Sequence, residues 1–312
     1  MRNCLPEIGR RKSAPTPHPL KGIALIVLAT FAFASVDVLT KKLTTHHPVA
    51  VVIAVRYLVN LALLAVVLYP RVRAGLWRVK RRGLVFVRAL CLAFASLTMG
   101  LALRLMPVGE TVAIVYLSPF AVMLLSAPVL GERVRPVAWL WAGLGFAGVL
   151  LILRPGSGLD PLGVVFALTN AGLATCYHLL TRKLAGSEST VAMLFQTALV
   201  GSVFFCIGAL GSLDQLAMTR QDFGGMALLG LLATLGHYLF TAAYREAPAA
   251  QLAPVNYLHL VWAAALGWLI FGHLLDQISL LGIALVCASG VAIALGARRA
   301  AGRTLAPPPE AL

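Results

Sequence analysis

Asp37 is the sharpest chemical feature of this chain, a lone carboxylate inside an apolar stretch that runs from 22 to 39. Ionisable groups in such stretches are costly to bury, so they tend to face a bundle interior or a wet cavity. The sequence repeats itself at an offset of 141 residues, and that offset carries Asp37 onto His178 in a later apolar stretch. An acid and a histidine facing one cavity can bind a zwitterion or relay protons. The competing reading is that Asp37 is simply solvated near a helix end. Arg56 and Arg88 also lie within apolar stretches. Either can hold a carboxylate through two parallel N–H bonds, although a structural role suits both, and Arg88 is close enough to a helix end to snorkel. Glu110 opens the fourth stretch, is matched by Gln251 at the same offset, and reads as a solvated helix-start acid or as a gate residue.

In the second half, His237-Tyr238 and Asn256-Tyr257-Leu258-His259 form a polar, aromatic group, with Pro254 just ahead of the latter. A proline inside a helix frees a backbone carbonyl and bends the chain, and Pro119 offers the same break in the first half. Such interruptions mark binding sites in many transporters. Hydrogen bonds between helices, and anchoring of some tyrosines at the lipid interface, are the alternatives. Catalytic and metal chemistry find less support. The five cysteines are scattered, and the loop acids Glu132, Asp160, Glu188, Asp214 and Asp222 are dispersed. There is no GxxxxGK[ST] loop to hold a nucleotide. No catalytic residue, metal or cofactor is expected.

The elements that must position these residues are membrane helices. Only 12% of residues are charged, against about 25% in soluble domains, and the mean hydropathy is +0.88. Period-two alternation, the mark of a membrane barrel, is absent. Ten apolar stretches are read: 22–39, 49–69, 84–103, 108–130, 136–153, 161–181, 190–212, 225–244, 249–272 and 277–296. The net charge of +15 does not indicate nucleic acid, because the basic residues sit in short loops between these stretches. The basic start of the chain and its Pro-rich end, 306–312, read as disordered tails. Basic residues ahead of an apolar run and Ala32-Phe33-Ala34 imitate a cleavable signal peptide. The repeat argues that this first helix is retained.

The same offset carries Gly22 onto Gly163, Thr40-Lys41-Lys42-Leu43 onto Thr181-Arg182-Lys183-Leu184, Pro107 onto Pro248, and Tyr116-Leu117 onto Tyr257-Leu258. Each unit holds five stretches, an odd number, so the second copy enters the membrane from the opposite side. With the N-terminus inside, nineteen Lys and Arg fall on inner segments and five on outer ones. Both termini are therefore expected in the cytoplasm, with Lys41-Lys42 as the one local discord. The fold expected is an all-α integral membrane protein of ten transmembrane helices in two inverted five-helix repeats. Residues 1–21 and 297–312 are expected as cytoplasmic tails, and 22–154 and 161–296 as the repeats. Inverted repeats allow alternating access to a site near the midplane.

Met106-Pro107-Val108-Gly109-Glu110-Thr111, Tyr116-Leu117-Ser118-Pro119, Gly131-Glu132-Arg133-Val134 and Arg56-Tyr57 resemble the EamA-like transporters of the drug/metabolite transporter superfamily. So do Ala243-Tyr244-Arg245-Glu246-Ala247-Pro248 and Ala253-Pro254-Val255-Asn256-Tyr257-Leu258. The resemblance implies a ten-helix carrier of the bacterial inner membrane that moves amino acids or related metabolites outward. His273 stands where the second unit of the family usually carries the glutamate matching Glu132, so no role is carried over for that acid. The expected partners are a small-molecule substrate and the lipid bilayer, not nucleic acid. The leading reading is an exporter of an amino acid or an amino-acid-derived compound, such as an opine-type metallophore. The alternatives are an importer of a vitamin or nucleoside-like metabolite, a membrane enzyme acting on lipid-linked substrates, and a non-transporting membrane partner.

Overall fold

Hydrocarbon offers no hydrogen-bond partners, so a backbone that crosses it must satisfy its own N–H and C=O groups. The chain does this with helices. The computed structural model describes residues 19–72, 75, 77–130, 136–154, 157–184, 187–212, 219–247 and 249–304, and no strand occurs among them. In chain order the helices are α1 (Pro19–Thr44), α2 (Val49–Val72), α3 (Arg82–Leu105), α4 (Val108–Val115), α5 (Leu117–Leu130) and α6 (Pro136–Ile152). The second half contributes α7 (Pro161–Leu184), α8 (Thr190–Leu210), α9 (Arg220–Glu246), α10 (Ala249–Asn256), α11 (Leu258–Phe271) and α12 (Gln277–Thr304). Each half thus makes five spans, its fourth being a pair of helical segments broken in the middle. Among the described residues nine spans are long and apolar enough to cross a bilayer. The tenth, α6, has 17 apolar residues, roughly 26 Å of helix. The last helix runs past 296 to Thr304. Residues 1–18, 131–135 and 305–312 lie outside the described residues, and with them most of the expected N-terminal tail, half of the C-terminal one and the comparison of Glu132 with His273.

The packing is nearly unchanged when the two halves are exchanged. α1 packs on α9 and α3 packs on α7; α1 also meets α11, as α7 meets α5; α2 faces α8 and α6 faces α12. Single contacts show the same exchange. The bare Cα of Gly22 lies against Ala247, and that of Gly163 against Met106, each pair being the image of the other at the 141-residue offset. Helices in lipid gain little from burying apolar surface and rely on close approach at small residues. The seam between α6 and α12 is the extreme case. A methyl group on Gly282 would stand 2.5 Å from the backbone oxygen of Gly148, and one on Gly148 would stand 2.6 Å from that of Gly282.

Polar side chains close the helix ends, some of them reaching across from the other half. Glu188, 8% exposed between α7 and α8, accepts the backbone N–H groups of Lys80 (2.9 Å) and Arg81 (2.7 Å) at the start of α3. The offset carries Glu188 onto His47 and Arg81 onto Asp222. His47 does lie 3.3 Å from Asp222, which forms a capping box with Thr219 at the start of α9. Lys41, the discordant cation of the charge count, donates to the carbonyls of Leu103 and Met106, both at 2.8 Å. It therefore closes the C-terminal end of α3, where the last carbonyls of a helix lack partners. Asp276 precedes α12 and accepts from the backbone N–H groups of Ile278 and Ser279, while Arg154 at the end of α6 donates to it at 2.8 Å.

Two outcomes follow from this frame. Gly282→Ala should lower the melting temperature of the purified protein by the equivalent of about 1–3 kcal/mol, the usual range for overpacking. Gly143→Ala, which meets nothing within 4 Å, should leave it unchanged. Hydrogen bonds from the Ser279 backbone and side chain, with Arg154 beside them, hold the Asp276 carboxyl at about 2, below its ordinary 3.8. A lowered carboxyl value contributes stability that is present above 3.8 and lost as pH falls toward 2. The melting-temperature difference between the parent and Asp276→Asn should therefore be constant at neutral pH and close on acidification through that window.

Candidate functional site

The site begins with two breaks in the backbone. α4 stops at Val115 and α5 starts at Leu117, leaving Tyr116 between them; α10 stops at Asn256 and α11 starts at Leu258, leaving Tyr257. The two tyrosines are images of each other at the 141-residue offset. Pro119 lacks an N–H, and its ring crowds the carbonyl four residues back, that of Val115, so the helix breaks just ahead of it. In the second half Pro254 lies three residues before the break and is housed within α10. The breaks meet. The Tyr116 hydroxyl donates to the carbonyl of Asn256 at 3.0 Å, and the two tyrosine rings lie 5.3 Å apart. Asn256 thus contributes a backbone carbonyl freed by the break.

Around these breaks the helices present a chain of polar and aromatic groups. Asp37 on α1, 9% exposed, pairs with His259 on α11 at 2.9 Å. The His259 ring lies near Tyr116 (5.9 Å) and Phe33 (6.2 Å), and Phe33 in turn contacts His237 at 5.0 Å. Arg56 donates to Ser96 at 2.9 Å and sits over the Tyr57 ring. Arg88, 3% exposed, donates to Thr181 (2.7 Å), Thr197 (2.8 Å) and the Tyr177 hydroxyl (2.7 Å), with a longer bond to the Met193 carbonyl. His178 stands beside Tyr177, with ring centroids 5.3 Å apart. His178 and His237 are both exposed to a water-sized sphere, yet neither belongs to the lipid face of its helix. On α7 that face is Leu162, Val165, Gly172 and Cys176; on α9 it is Leu228, Leu231, Leu235 and Tyr238. At 100° per residue His178 lies about 200° from Cys176, and His237 about 200° from Leu235. Both therefore open onto the inside of the bundle.

Several expectations change in this light. Asp37 is neither solvated nor joined to His178; its partner is His259, because α1 packs against α11 while α7 packs against α3 and α5. Arg88 does not snorkel. Its guanidinium reaches inward and ties α3 to α7 and α8, each bond to its charge contributing roughly 1.5–3 kcal/mol. Glu110 is not a solvated acid: it is 3% exposed and faces His273 at 3.1 Å. Tyr238, 69% exposed, continues the lipid stripe of α9 and stands apart from the polar groups. The side chain of Gln251 lies outside the described residues. Reading the sequence missed Phe33, Ser96, Tyr177 and Thr197. Two carried a signal in the repeat, since the offset carries Ser96 onto His237 and Arg56 onto Thr197. Among the described residues no group of three His, Cys, Asp or Glu is placed to hold a metal.

The model of the EamA-like transporter family matches the chain twice, over residues 20–154 and 161–295. The pseudopaline exporter CntI of Pseudomonas aeruginosa (strain UCBPP-PA14) is 26% identical, covering 87% of this chain and 95% of that protein. A riboflavin transporter of Rhizobium johnstonii is 30% identical, covering 87% of this chain and 90% of that protein. An S-adenosylmethionine uptake transporter of Rickettsia bellii is 25% identical over 85% and 90%. A solved crystal structure, 20% identical, superposes with a TM-score of 0.63 over 90% of this chain and 98% of that one, a likeness of fold. Two matched units, ten spans and two broken helices leave one conclusion: the chain is a multi-pass membrane transporter, not an enzyme, and belongs to the EamA-like transporter family.

Proposed function

We propose that this transporter exports a small zwitterionic metabolite, an amino acid or an amino-acid-derived compound such as an opine-type metallophore, across the bacterial inner membrane. The observation that carries the reading is the pairing of chemistries in one interior. The Asp37–His259 pair, 2.9 Å apart, stands at one part of the lining, and Arg56 over the Tyr57 ring stands at another. A substrate with separated positive and negative groups meets both. A molecule of single charge would pair with one part and leave the other unmatched, which is costly in a poorly hydrated site. The outward direction is supported by the similarity to a pseudopaline exporter. Asp37, His259, Arg56, His178 and His237 are assigned to substrate or proton handling, Arg88 to positioning Tyr177, and Tyr116 and Tyr257 to the hinge between half-helices. Both termini are assigned to the cytoplasm on the charge count.

A second reading has one observation in its favour. Phe33, Tyr57, Tyr116 and Tyr257 give the interior flat faces, and relatives named as riboflavin and S-adenosylmethionine transporters import ring-bearing molecules or are named for one. On that reading the chain takes up a vitamin or nucleoside-like compound.

Untargeted mass spectrometry of cells and spent medium separates the two. In a deletion strain, a zwitterionic compound should accumulate inside and vanish from the medium, and complementation should restore it; a ring compound left unused in the medium would establish the second reading instead. Within the exporter, Asp37→Asn and His259→Gln should each lower efflux at least tenfold, about 1.4 kcal/mol. The double variant should be hardly worse than either single one, because the two groups act as a pair. Tyr238→Phe, on the lipid face, should export at the parent's rate.

A further inference from the structure

We infer that the cavity at the α3–α4 end of the bundle is a second binding site, one that takes the ammonium and carboxylate head of a free α-amino acid. The cavity measures about 310 Å³, is open on one side, and is lined chiefly by the α3–α4 turn, the start of α4 and the end of α11. That size lies at the lower end of the range for small-molecule pockets. Glu110, in the first turn of α4, lines it and is 3% exposed. One carboxylate oxygen faces His273 at 3.1 Å; the other, Oε2, is buried and has no partner. Buried acceptors in native proteins are almost always matched, so an unmatched one on a residue that lines a cavity marks a carboxylate with capacity for a further donor. Lys41 lines the same cavity, with two of its three N–H groups engaged on the carbonyls of Leu103 and Met106. The ammonium also stands over the Phe271 ring, 5.5 Å from its centroid, and among the described residues its third N–H has no hydrogen-bonded acceptor.

The ligand class follows from this set. One carboxylate and one ammonium make a site with no net charge, which disfavours a simple cation or anion and suits a molecule that carries both. Its ammonium would donate to the Glu110 carboxylate, whose side chain turns to offer Oε2, and its carboxylate would accept from Lys41. Trp268, Phe271 and Leu275 supply an apolar wall for a side chain. A metal is not the occupant, since Glu110 and His273 provide two protein ligands and no third is placed to join them among the described residues.

The position ties this site to the interior described above. Lys41 stands one helical turn, about 6 Å, beyond Asp37 on α1. A zwitterion leaving the Asp37–His259 pair would meet Lys41 and Glu110 next. Its use as a station on the transport path rests on the proposed zwitterion export; its ability to bind an amino acid does not.

Chemical protection tests the site on the unmodified protein. Purified transporter in lipid nanodiscs is treated with a water-soluble carbodiimide and glycinamide, and modification of Glu110 is followed by peptide mass spectrometry. L-methionine should slow modification of Glu110 at least tenfold in a saturable manner. L-methionine methyl ester, which lacks the negative charge, and N-acetyl-L-methionine, which lacks the positive one, should not. Equal modification under all conditions would mean that water alone fills the cavity and would overturn the inference. Equal protection by all three compounds would overturn it as well, because the site would then be reading the apolar tail. The two proposals fail separately. Protection of Glu110 can hold in a transporter whose substrate proves to be a flavin, and the Asp37→Asn efflux defect can hold in one whose Glu110 is never protected.

Discussion

Everything in this fold answers to one shortage, the lack of hydrogen-bond partners in hydrocarbon. Helices meet it along their lengths, but helix ends and breaks do not, and those are the places where the chain uses its few polar residues. Glu188 reaches across to the first N–H groups of α3, Lys41 to the last carbonyls of the same helix, and Asp276 to the first N–H groups of α12. Where the shortage is accepted at membrane depth, in the breaks at Tyr116 and Tyr257, the freed groups face each other across the bundle. The Tyr116–Asn256 bond repairs one of them with a side chain from the opposite half. The interior is polar because the breaks are there, and the breaks are tolerable because the interior is polar.

The inverted repeat supplies a frame with two equivalent ends and then breaks the equivalence with chemistry. Positions that exchange under the 141-residue offset hold similar space and different groups: Asp37 and His178, Ser96 and His237, Arg56 and Thr197, Glu188 and His47. At the last pair the same cross-half contact is made twice. On one side a carboxylate caps α3 directly, and on the other a histidine approaches an aspartate that caps α9. A carrier whose halves were chemically identical would present the same lining to both sides of the membrane. Here the acid lies in the first half and the histidines facing the interior come from the second, so the two faces of the lining differ even though their backbones correspond.

How far the sequence could be read follows from that geometry. The ten spans were legible because lipid exposure forces long apolar runs, and the repeat was legible because a shared fold keeps glycines and prolines at shared positions, as with Gly22 and Gly163. The partners were not. An offset identifies equivalent residues, but only α2 with α8 and α6 with α12 pack mainly on their own images; α1 packs on α9 and α11 instead. Hence the offset pointed from Asp37 to His178, whereas the side chain that Asp37 meets is His259. Charge counting likewise treats every lysine as a mark of sidedness and cannot see Lys41 engaged on carbonyls 62 and 65 residues away. Arg88 misled for a related reason. Its distance from the helix end says that it can reach water, but only the packing of α3 on α7 and α8 says that it turns inward instead.

The division of labour among the helices also bears on which of them move. At the α6–α12 seam two backbones touch, glycine to glycine, with no side chain between them to change rotamer. Contacts of that kind are bistable at best and resist sliding, because any shift drives a Cα or a carbonyl into its neighbour. The helices that carry the polar lining are joined differently. Between α1 and α9 lie side chains such as Phe33 against Gly236, and between α2 and α8 the Tyr57 ring lies over Gly201; these can tilt while keeping contact. A fixed seam of α6 and α12 with α1, α3, α7 and α9 rocking about the breaks at Tyr116 and Tyr257 is the motion this packing permits. In that motion the Asp37–His259 pair, which joins α1 to α11, is one of the contacts that must loosen, so the residues proposed to recognise the substrate would also register its presence.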